Sequence, residues 1–245
     1  DLDGTLAESK QPLTSDMALH LAHLLAVTRV GVISGGALPQ FLKQVVSQLP
    51  SDANLSSLYL LPTSGAALYE YDDGDWKKVY EERLSDTEAH TIEEVVRTTA
   101  EKTGLVDFSK PAPGERIEFR GSQVTLSVLG QQAPIAEKKA WDPDHRKRQT
   151  LRAVIAPLLP EYSVKVGGAT SIDVTKLGID KAYGVRKLCE RLKIKESSAL
   201  YIGDELGAGG NDEAVYKTNI DTKEVADPAD TMKCIEALLS EFPKV

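Results

Sequence analysis

The sequence predicts an α/β fold in which a parallel sheet carries helices on both faces and a second, α+β domain with an antiparallel sheet is inserted. Two observations support this prediction. Towards both ends of the 245-residue chain, short apolar runs alternate with helical patterns, as in a parallel sheet covered by helices. In the middle, polar and apolar residues alternate in short segments, as in antiparallel strands. We therefore expect a core domain at residues 1–84 and 175–245 and an inserted domain at 85–174.

The first part of the chain alternates helical and strand patterns. Apolar residues recur every three or four positions in the helical segments, whereas the strand segments are short apolar runs. Thr14 or Ser15 is positioned to cap the first helix, and Pro50 stops the second. The segments predict a helix at 14–26, a strand at 27–33, a helix at 41–49 and a strand at 58–61.

The period changes after these elements. The stretch Asp72-Asp73-Gly74-Asp75 separates two strand-like segments, 67–71 and 76–80, and predicts a hairpin. Residues 116–120 and 124–128 alternate in polarity, which predicts two antiparallel strands with one solvated face each.

The remaining elements of the inserted block are mainly helical, and the parallel pattern resumes after it. Arg146, Lys147 and Arg148 are expected on the solvated face of a helix. The patterns predict helices at 92–100 and 145–159 and a strand at 162–166, followed by a helix at 181–192, a strand at 199–202 and a helix at 230–239.

Composition excludes several classes of function. The formal net charge of −8 argues against a nucleic-acid partner, because nucleic-acid binding needs a basic field. No apolar run is long enough to span a membrane and no signal peptide is visible, so we expect no membrane partner and a cytoplasmic location. Cys189 and Cys234 show no metal-ligand spacing and are expected to be buried, reduced thiols.

The stretch most suggestive of chemistry is Asp1-Leu2-Asp3-Gly4-Thr5. Two carboxylates two positions apart, before a Gly-Thr turn, can face one cation and one phosphate. Asp1 would then be a nucleophile that forms an aspartyl-phosphate, and Asp3 would handle the proton of the attacking or leaving oxygen. A plain acidic turn is the alternative. In such a fold the nucleophile ends a strand, so we expect the sequence to begin inside the domain.

Three further motifs supply charges or donors that phosphoryl transfer requires. Ser34 follows an apolar run and offers its hydroxyl and the next amide, that of Gly35, to a phosphate; its alternative is a helix cap. Lys181 offers a positive charge, with a surface lysine as the alternative. Asp204 opens a glycine-rich acidic loop and, with Asp1 and Asp3, offers the oxygen ligands that Mg²⁺ prefers.

In this order the four motifs resemble the signature motifs of the haloacid dehalogenase (HAD) superfamily of phosphotransferases. The resemblance implies a Rossmann-like HAD core, and the position of the inserted domain implies a cap of the C2 class. It also implies that Asp3 gives the metal its backbone carbonyl, while Asn211 and Asp212 orient ligand waters and Lys181.

Three stretches resemble the eukaryotic-type phosphomannomutases more closely: 116–121 with 126–128, 167–174, and 203–212. Residues 225–231 also resemble that family's tail. The resemblance implies that Arg120 binds the distal phosphate of the substrate. Ser171 and Asp173 would hold sugar hydroxyls or the phosphate. A sugar phosphate is the implied partner, and a homodimer is left open.

The sequence also departs from that family's pattern at three substrate-binding positions. Lys10 stands where the family has an arginine near the reacting phosphate, which keeps the charge but loses the bidentate fork. Two arginines of the family's inserted domain correspond to Gln131 and Lys138. A mutase must hold a phosphate at each end of the sugar, whereas a phosphatase needs only one phosphate and a water.

We therefore expect Mg²⁺-dependent phosphoryl transfer on a hexose phosphate, of the kind that interconverts mannose 6-phosphate and mannose 1-phosphate. A sugar-phosphate phosphatase is the first alternative. A sugar-phosphate-binding protein without turnover is the second, although it would be expected to have lost Asp1, Asp3 or Lys181, and all three are present.

Overall fold

A computed structural model describes residues 1–242 and divides the chain into two compact units. Unit 1 contains Asp1–Glu81 and the C-terminal segment from Asp180, and unit 2 is Glu82–Ile179. Unit 2 extends past residue 174, since its last strand runs to Lys176. The final residues of the predicted core domain, 243–245, lie outside the described residues.

The elements follow in chain order. Unit 1 begins with α1 (Ser15–Val27), β1 (Val30–Ile33), α2 (Leu38–Gln44), β2 (Leu58–Leu61), the single turn α3 (Pro62–Gly65), β3 (Ala67–Asp72) and β4 (Asp75–Glu81). Unit 2 contains α4 (Asp86–Lys102), β5 (Ile117–Phe119), β6 (Gln123–Ser127), α5 (Ile135–Trp141), α6 (Arg146–Ile155), β7 (Tyr162–Val166) and β8 (Ser171–Lys176). Unit 1 then ends with α7 (Lys181–Leu192), β9 (Leu200–Gly203), β10 (Asp221–Glu224) and α8 (Pro228–Glu241).

The sheet of unit 1 has helices on both faces, as predicted. Strand β1 pairs in parallel with β2, and β3 and β4 extend this sheet in antiparallel fashion. Neighbouring residues of β1 point to opposite faces. Val32 packs in a cluster with residues of α1, α2 and α8, whereas Ile33 packs in a second cluster with residues of α7.

The first residues of the chain lie beside β9. The backbone nitrogen of Asp1 donates to the carbonyl of Ile202 at 2.8 Å, and β9 itself pairs in parallel with β10. Leu2 is fully buried in the cluster that contains α1. The hydrogen bond to Ile202 thereby places Asp1 beside β9, the strand that Asp204 follows.

Two local predictions in unit 1 are confirmed in detail. The side chain of Thr14 caps α1 by accepting a hydrogen bond from the nitrogen of Met17 at 3.2 Å. Asp73 and Gly74 both have positive φ, 51° and 83°, which is the turn geometry that an Asp-Gly hairpin signal predicts. The strand predicted from residue 27 was wrong at its start, since α1 continues through Val27.

Unit 2 is built on an antiparallel sheet with the order β5-β6-β8-β7. Its apolar face packs against α4 and α6 around residues such as Ile92, Val124 and Leu151. The other face of β6 carries Gln123, Thr125 and Ser127, and the prediction that this face is solvated was wrong, because all three are buried. The alternation of polar and apolar residues shows which face of a strand is polar, but not whether that face is exposed. Polar side chains that form hydrogen bonds with one another can be buried.

The prediction for the basic cluster on α6 was also wrong in part. Arg146 is exposed, but Arg148 is buried and ion-paired with Asp142, which is itself buried. Elsewhere, α5, β8 and β10 were not predicted. Among residues 1–242, no helix combines the length and the apolar character that a membrane span requires.

Candidate active site

A tight turn places the first carboxylates of the site. Gly4 has a φ of +93°, and a Cβ there would lie 2.2 Å from Oδ2 of Asp204. A larger residue would therefore both strain the backbone and displace that carboxylate. The hydroxyl of Thr5 donates to Oδ1 of Asp204 at 3.0 Å and lies 3.4 Å from Oδ2 of Asp1, so it connects the two acidic groups.

Lys181 is the central cation of this site. It is the first residue of α7, whose cap Asp180 accepts a hydrogen bond from the nitrogen of Tyr183 at 3.0 Å. Its Nζ donates to Oδ1 of Asp1 at 2.6 Å, to Oδ1 of Asp212 at 2.6 Å and to Oδ1 of Asn211. The three donors of a buried ammonium thus have three oxygen acceptors, which is the condition for burying a charge.

Asp212 is held in its ionised form. Although burial alone would raise its pKa, the positive charge of Lys181 and the hydrogen bonds from Lys181 and from the hydroxyl of Tyr201 hold the pKa below the usual range. The backbone nitrogen of Glu205 also donates to Oδ2 of Asp212, at 3.2 Å. Burial, followed by the negative charge of Asp212, raises the pKa of Tyr201 well above its ordinary value, so Tyr201 remains a donor.

Asp1, Asp204 and Asp212 form an acidic cluster. One carboxylate oxygen of each lies within 4.8 Å of the others. Burial and then the charge of Asp212 raise the pKa of Asp204, while the hydroxyl of Thr5 opposes the rise. Converging carboxylates fit a hard divalent cation, because the cation relieves their repulsion and prefers oxygen ligands.

The carboxylate of Asp3 has different partners from that of Asp1. Its Oδ2 accepts from the hydroxyl of Ser34 at 2.9 Å and from Nε2 of Gln40 at 3.2 Å. Its Oδ1 accepts from the backbone nitrogen of Lys10 at 2.6 Å, and Lys10 has a left-handed φ of 59°. Gly35 lies in the turn between β1 and α2, directly after Ser34.

The acidic loop that follows β9 is stabilised by its own residues. Oε2 of Glu205 accepts hydrogen bonds from the backbone nitrogen and from Nδ2 of Asn211, at 3.3 and 3.0 Å. The carbonyl of Glu205 accepts from the nitrogen of Asp212 at 3.1 Å. The loop thereby presents Asn211 and Asp212 to Lys181.

The remaining predicted site residues lie in unit 2. Nε and Nη2 of Arg120 both donate to Oε2 of Glu118, at 2.9 and 2.7 Å. Ser171 begins β8, and Oδ1 of Asp173 accepts from the hydroxyl of Thr125 at 2.8 Å. The structure also brings Gln131 and Lys138 into contact, since Nζ of buried Lys138 donates to the carbonyl of Gln131 at 2.8 Å.

Sequence reasoning gave no role to four side chains that contact these groups. Thr5 was part of the first motif without a function, and Gln40 lies one turn into the helix after Ser34. Tyr201 had the character of a core residue in an apolar strand. Glu118 occupied a polar position of an alternating strand, where no signal marked it as the partner of Arg120.

The fold and the arrangement around Lys181 together define a class, the HAD-type phosphotransferases with an inserted α+β domain. The sequence matches the model of the family described as eukaryotic phosphomannomutase over residues 17–241, and the chain belongs to that family. Family membership implies a sugar-phosphate substrate and dependence on a divalent metal.

Curated relatives are similar over nearly their whole length. A phosphomannomutase of Nicotiana benthamiana is 27% identical over 250 residues, which cover 98% of this chain and 93% of the relative. Phosphomannomutase 2 of Dictyostelium discoideum is 26% identical, with coverage of 99% and 94%.

Solved structures show the same fold at lower identity. The ATP-bound IMP-nucleotidase of Plasmodium falciparum superposes with a TM-score of 0.72 at 17% identity, covering 98% of this chain and 59% of that one. A protein of Streptococcus mutans gives a TM-score of 0.65 at 15% identity, covering 98% and 97%. At these identities the likeness shows the fold alone.

Proposed function

We propose that this chain interconverts mannose 6-phosphate and mannose 1-phosphate through an aspartyl-phosphate on Asp1. The observation that best supports the proposal is the division of labour between two carboxylates. Asp1 is bound to the buried ammonium of Lys181, whereas Asp3 is bound to a hydroxyl, a side-chain amide and a backbone nitrogen. The ion pair with Lys181 suits a nucleophile that must stay ionised, whereas Asp3 lies outside that ion pair and would serve as the group that exchanges a proton.

Asp3 takes up a proton in the first half-reaction and returns it in the second. A hydroxyl of the hexose monophosphate attacks the phosphorus on Asp1, and its proton passes to Asp3. The bond between the phosphorus and the carboxylate oxygen of Asp1 breaks. The resulting bisphosphate then presents its other phosphate to Asp1. A carboxylate oxygen of Asp1 forms the new bond to phosphorus, and the departing sugar oxygen takes the proton back from Asp3.

The positive groups of unit 1 have electrostatic roles in this scheme. Lys181 would neutralise charge on the reacting phosphate while it holds Asp1. The hydroxyl of Ser34 would turn from Asp3 to the bound phosphate and, with the amide of Gly35, would donate to a phosphate oxygen. Lys10 would add a further positive charge.

Magnesium is the metal that we propose for this site. Asp1 and Asp204 would bind it through carboxylate oxygens, and Asp3 through its backbone carbonyl. Asn211 and Asp212 would orient its waters. When bound, a hard divalent cation of this kind neutralises negative charge on the transferring phosphoryl group.

Substrate recognition is assigned to residues of unit 2. Arg120, whose guanidinium is oriented by Glu118, would bind the second phosphate. Ser171 and Asp173 would bind sugar hydroxyls or that phosphate. Gln131 and Lys138, which contact each other, are assigned to the same phosphate. Their side chains are weaker hydrogen-bond donors to a phosphate than two arginines would be.

A sugar-phosphate phosphatase is the second candidate, and those same two positions favour it. A weaker hold on the second phosphate lets the bisphosphate leave, or lets water replace the sugar hydroxyl as acceptor. In that reaction water attacks the phosphorus on Asp1, and Asp3 takes its proton.

One incubation tests both candidates. The chain is mixed with mannose 1-phosphate, Mg²⁺ and a trace of hexose bisphosphate, with and without excess EDTA, and mannose 6-phosphate and free phosphate are followed together. We expect isomerisation to exceed phosphate release and EDTA to abolish both. Phosphate release without isomerisation would replace the proposal with the phosphatase. Sedimentation of the same sample would test the homodimer, which remains a proposal.

A further inference from the structure

A buried ion pair in unit 2 lies outside the machinery described above. Arg148 is on α6, Asp142 lies just before that helix, and their side chains are 3% and 0% exposed. Nε of Arg148 donates to Oδ2 of Asp142 at 2.8 Å. The same carboxylate accepts from the backbone nitrogens of Lys147 and Arg148, at 2.8 and 3.1 Å, so Asp142 is fixed to the first turn of α6.

Nη2 of Arg148 donates to the carbonyl of Asp142 at 3.3 Å, whereas Nη1 reaches a separate turn. Nη1 donates to the carbonyls of Gly167 and Gly168, at 3.1 and 2.9 Å. These glycines begin the turn between β7 and β8. The turn closes on itself, since the carbonyl of Gly168 accepts from the nitrogen of Ser171 at 3.0 Å and the nitrogen of Gly167 donates to the carbonyl of Ser171 at 2.9 Å.

This turn is packed directly against Asp173. A Cβ on Gly167 would lie 2.6 Å from Oδ2 of Asp173, so the carboxylate rests against the Cα of this glycine. The other oxygen, Oδ1, accepts from the hydroxyl of Thr125, which itself accepts from Nε2 of Gln123 at 2.8 Å. The direction of the carboxylate is therefore fixed on one side by β6 and on the other by the turn.

We propose that the buried Arg148–Asp142 pair is a positioning device for substrate recognition. It holds the turn of residues 167–171 and thereby sets the orientation of Ser171 and Asp173 towards the hydroxyl groups of a hexose phosphate. This inference rests on the proposed function, which assigns those two side chains to the substrate.

An arginine suits this position for a geometric reason. Its planar fork bonds to the carboxylate of Asp142 and to two turn carbonyls at once. A lysine keeps the charge but offers one compact ammonium, which can stay with Asp142 only by giving up carbonyl contacts. Attachment of α6 to the sheet does not require these contacts, because Leu151 and Ile155 are already buried in the core of unit 2.

The test compares two substrates in Arg148→Lys and in a matched control. The substrates are mannose 1-phosphate, which has hydroxyls for Ser171 and Asp173, and p-nitrophenyl phosphate, which has none. We expect Arg148→Lys to raise the KM and the calorimetric Kd for mannose 1-phosphate by about tenfold, and to lower kcat/KM far less for the aryl ester. Arg152→Lys is the control, because Arg152 is on the same helix and its Nε donates to the carbonyl of Val164, away from the turn.

A second variant leaves the ion pair intact. Gly167→Ala should push the carboxylate of Asp173 aside and give the same selective loss, measured on samples whose folding is checked by circular dichroism. Gly168→Ala should have a much smaller effect, since a Cβ there meets nothing within 4 Å. This pair tests whether the turn sets the direction of Asp173, a step on which the inference depends even where Arg148→Lys lowers the stability of the fold.

The outcomes separate the inference from the proposed function. Equal losses on both substrates in Arg148→Lys and Gly167→Ala, or no loss in either, would overturn the positioning role while leaving the proposed function standing. A wild-type chain that neither binds nor turns over mannose 1-phosphate would overturn the proposed function, and this inference with it.

Discussion

At the scale of single residues, the site depends on how one buried ammonium distributes its hydrogen bonds. Lys181 holds Asp1, Asn211 and Asp212 together, and a cation with three oxygen partners in low dielectric fixes their relative positions. Asp3 is outside this group, with Ser34 and other neutral donors as its partners. In the proposed function, this separation corresponds to different chemical tasks for the two carboxylates.

The first residue-scale prediction concerns proton transfer by Asp3. We expect Asp3→Asn to slow turnover by about 10²- to 10⁴-fold, because an amide keeps the shape of the side chain but cannot exchange the proton. Single-turnover kinetics at saturating Mg²⁺ measures the effect. Reduced affinity for Mg²⁺ with unchanged single-turnover chemistry would show that Asp3 serves the metal instead.

The second residue-scale prediction concerns the hydroxyl that supports Asp212. Tyr201→Phe removes a buried donor to a charged acceptor, which should lower the free energy of unfolding by about 1.5–3 kcal/mol. Urea denaturation measures the difference. Tyr216→Phe is the matched control, since that side chain is 59% exposed, and it should change the stability by less than about 0.5 kcal/mol. Equal effects in the two variants would contradict the role of Tyr201.

The sequence was sufficient for residues whose type and spacing mark chemistry, and insufficient for their supports. Asp1, Lys181 and Asp212 stand in motifs that few other functions require. Tyr201, in contrast, looks like any aromatic residue of an apolar strand, and its hydrogen bond to Asp212 joins residues of different elements. The prediction for Arg148 was wrong in the opposite direction. As one of several charged residues on a helix it was expected to be solvated, and only the fold shows that it is buried against Asp142.

At the scale of elements, prediction was accurate where local pattern and local chemistry agreed. The hairpin of β3 and β4 follows from an Asp-Gly turn, and α7 has the predicted bounds because Asp180 caps it and the apolar face is regular. Strand β10 was missed because Asp221–Glu224 is polar and short, and only its pairing with β9 makes it a strand. Helix α5 was missed because it has only seven residues, of which three consecutive ones are charged.

The element-scale prediction concerns the contact between α1 and α8. His20 on α1 interacts with the carbonyl of Asp16 through Nδ1, at 2.7 Å, and with Oε1 of Glu236 on α8 through Nε2, at 3.0 Å. The hydrogen bond with Asp16 and then that with Glu236 raise the pKa of His20, since both favour the protonated ring. A raised pKa stabilises the fold below the unfolded pKa of about 6.5, and this stabilisation is lost as pH rises through the folded pKa.

We therefore expect His20→Gln to destabilise the protein more at about pH 5.5 than at about pH 8.5. Urea denaturation of both proteins at the two pH values measures the difference. A larger effect at the higher pH would mean that the neutral ring makes the stabilising contact.

At the scale of the whole molecule, the chain combines two units with separate cores and separate tasks. Unit 1 carries the acidic cluster and Lys181, and unit 2 carries a buried polar network on its sheet. The family shows what kind of reaction this combination serves. We assign the balance between mutase and phosphatase to unit 2, because the resemblance predicts arginines at the positions of Gln131 and Lys138.

The prediction at this scale concerns that balance. We expect Gln131→Arg to raise the ratio of isomerisation to phosphate release, because a guanidinium makes charge-assisted contacts to a second phosphate that an amide cannot; such bonds contribute roughly 1.5–3 kcal/mol each. Both products are followed in one incubation with mannose 1-phosphate. An unchanged ratio would show that this position does not contact the second phosphate.

The central claim is that Asp1 carries the phosphoryl group during turnover. The most direct measurement is rapid acid quenching of the enzyme with a hexose bisphosphate and Mg²⁺, followed by mass spectrometry of the peptide that contains Asp1. We expect a phosphoryl group on Asp1 that hydroxylamine removes, and no phosphorylated peptide in Asp1→Asn, which should also have lost turnover. A phosphoryl group on another residue, or full turnover by Asp1→Asn, would contradict this role of Asp1.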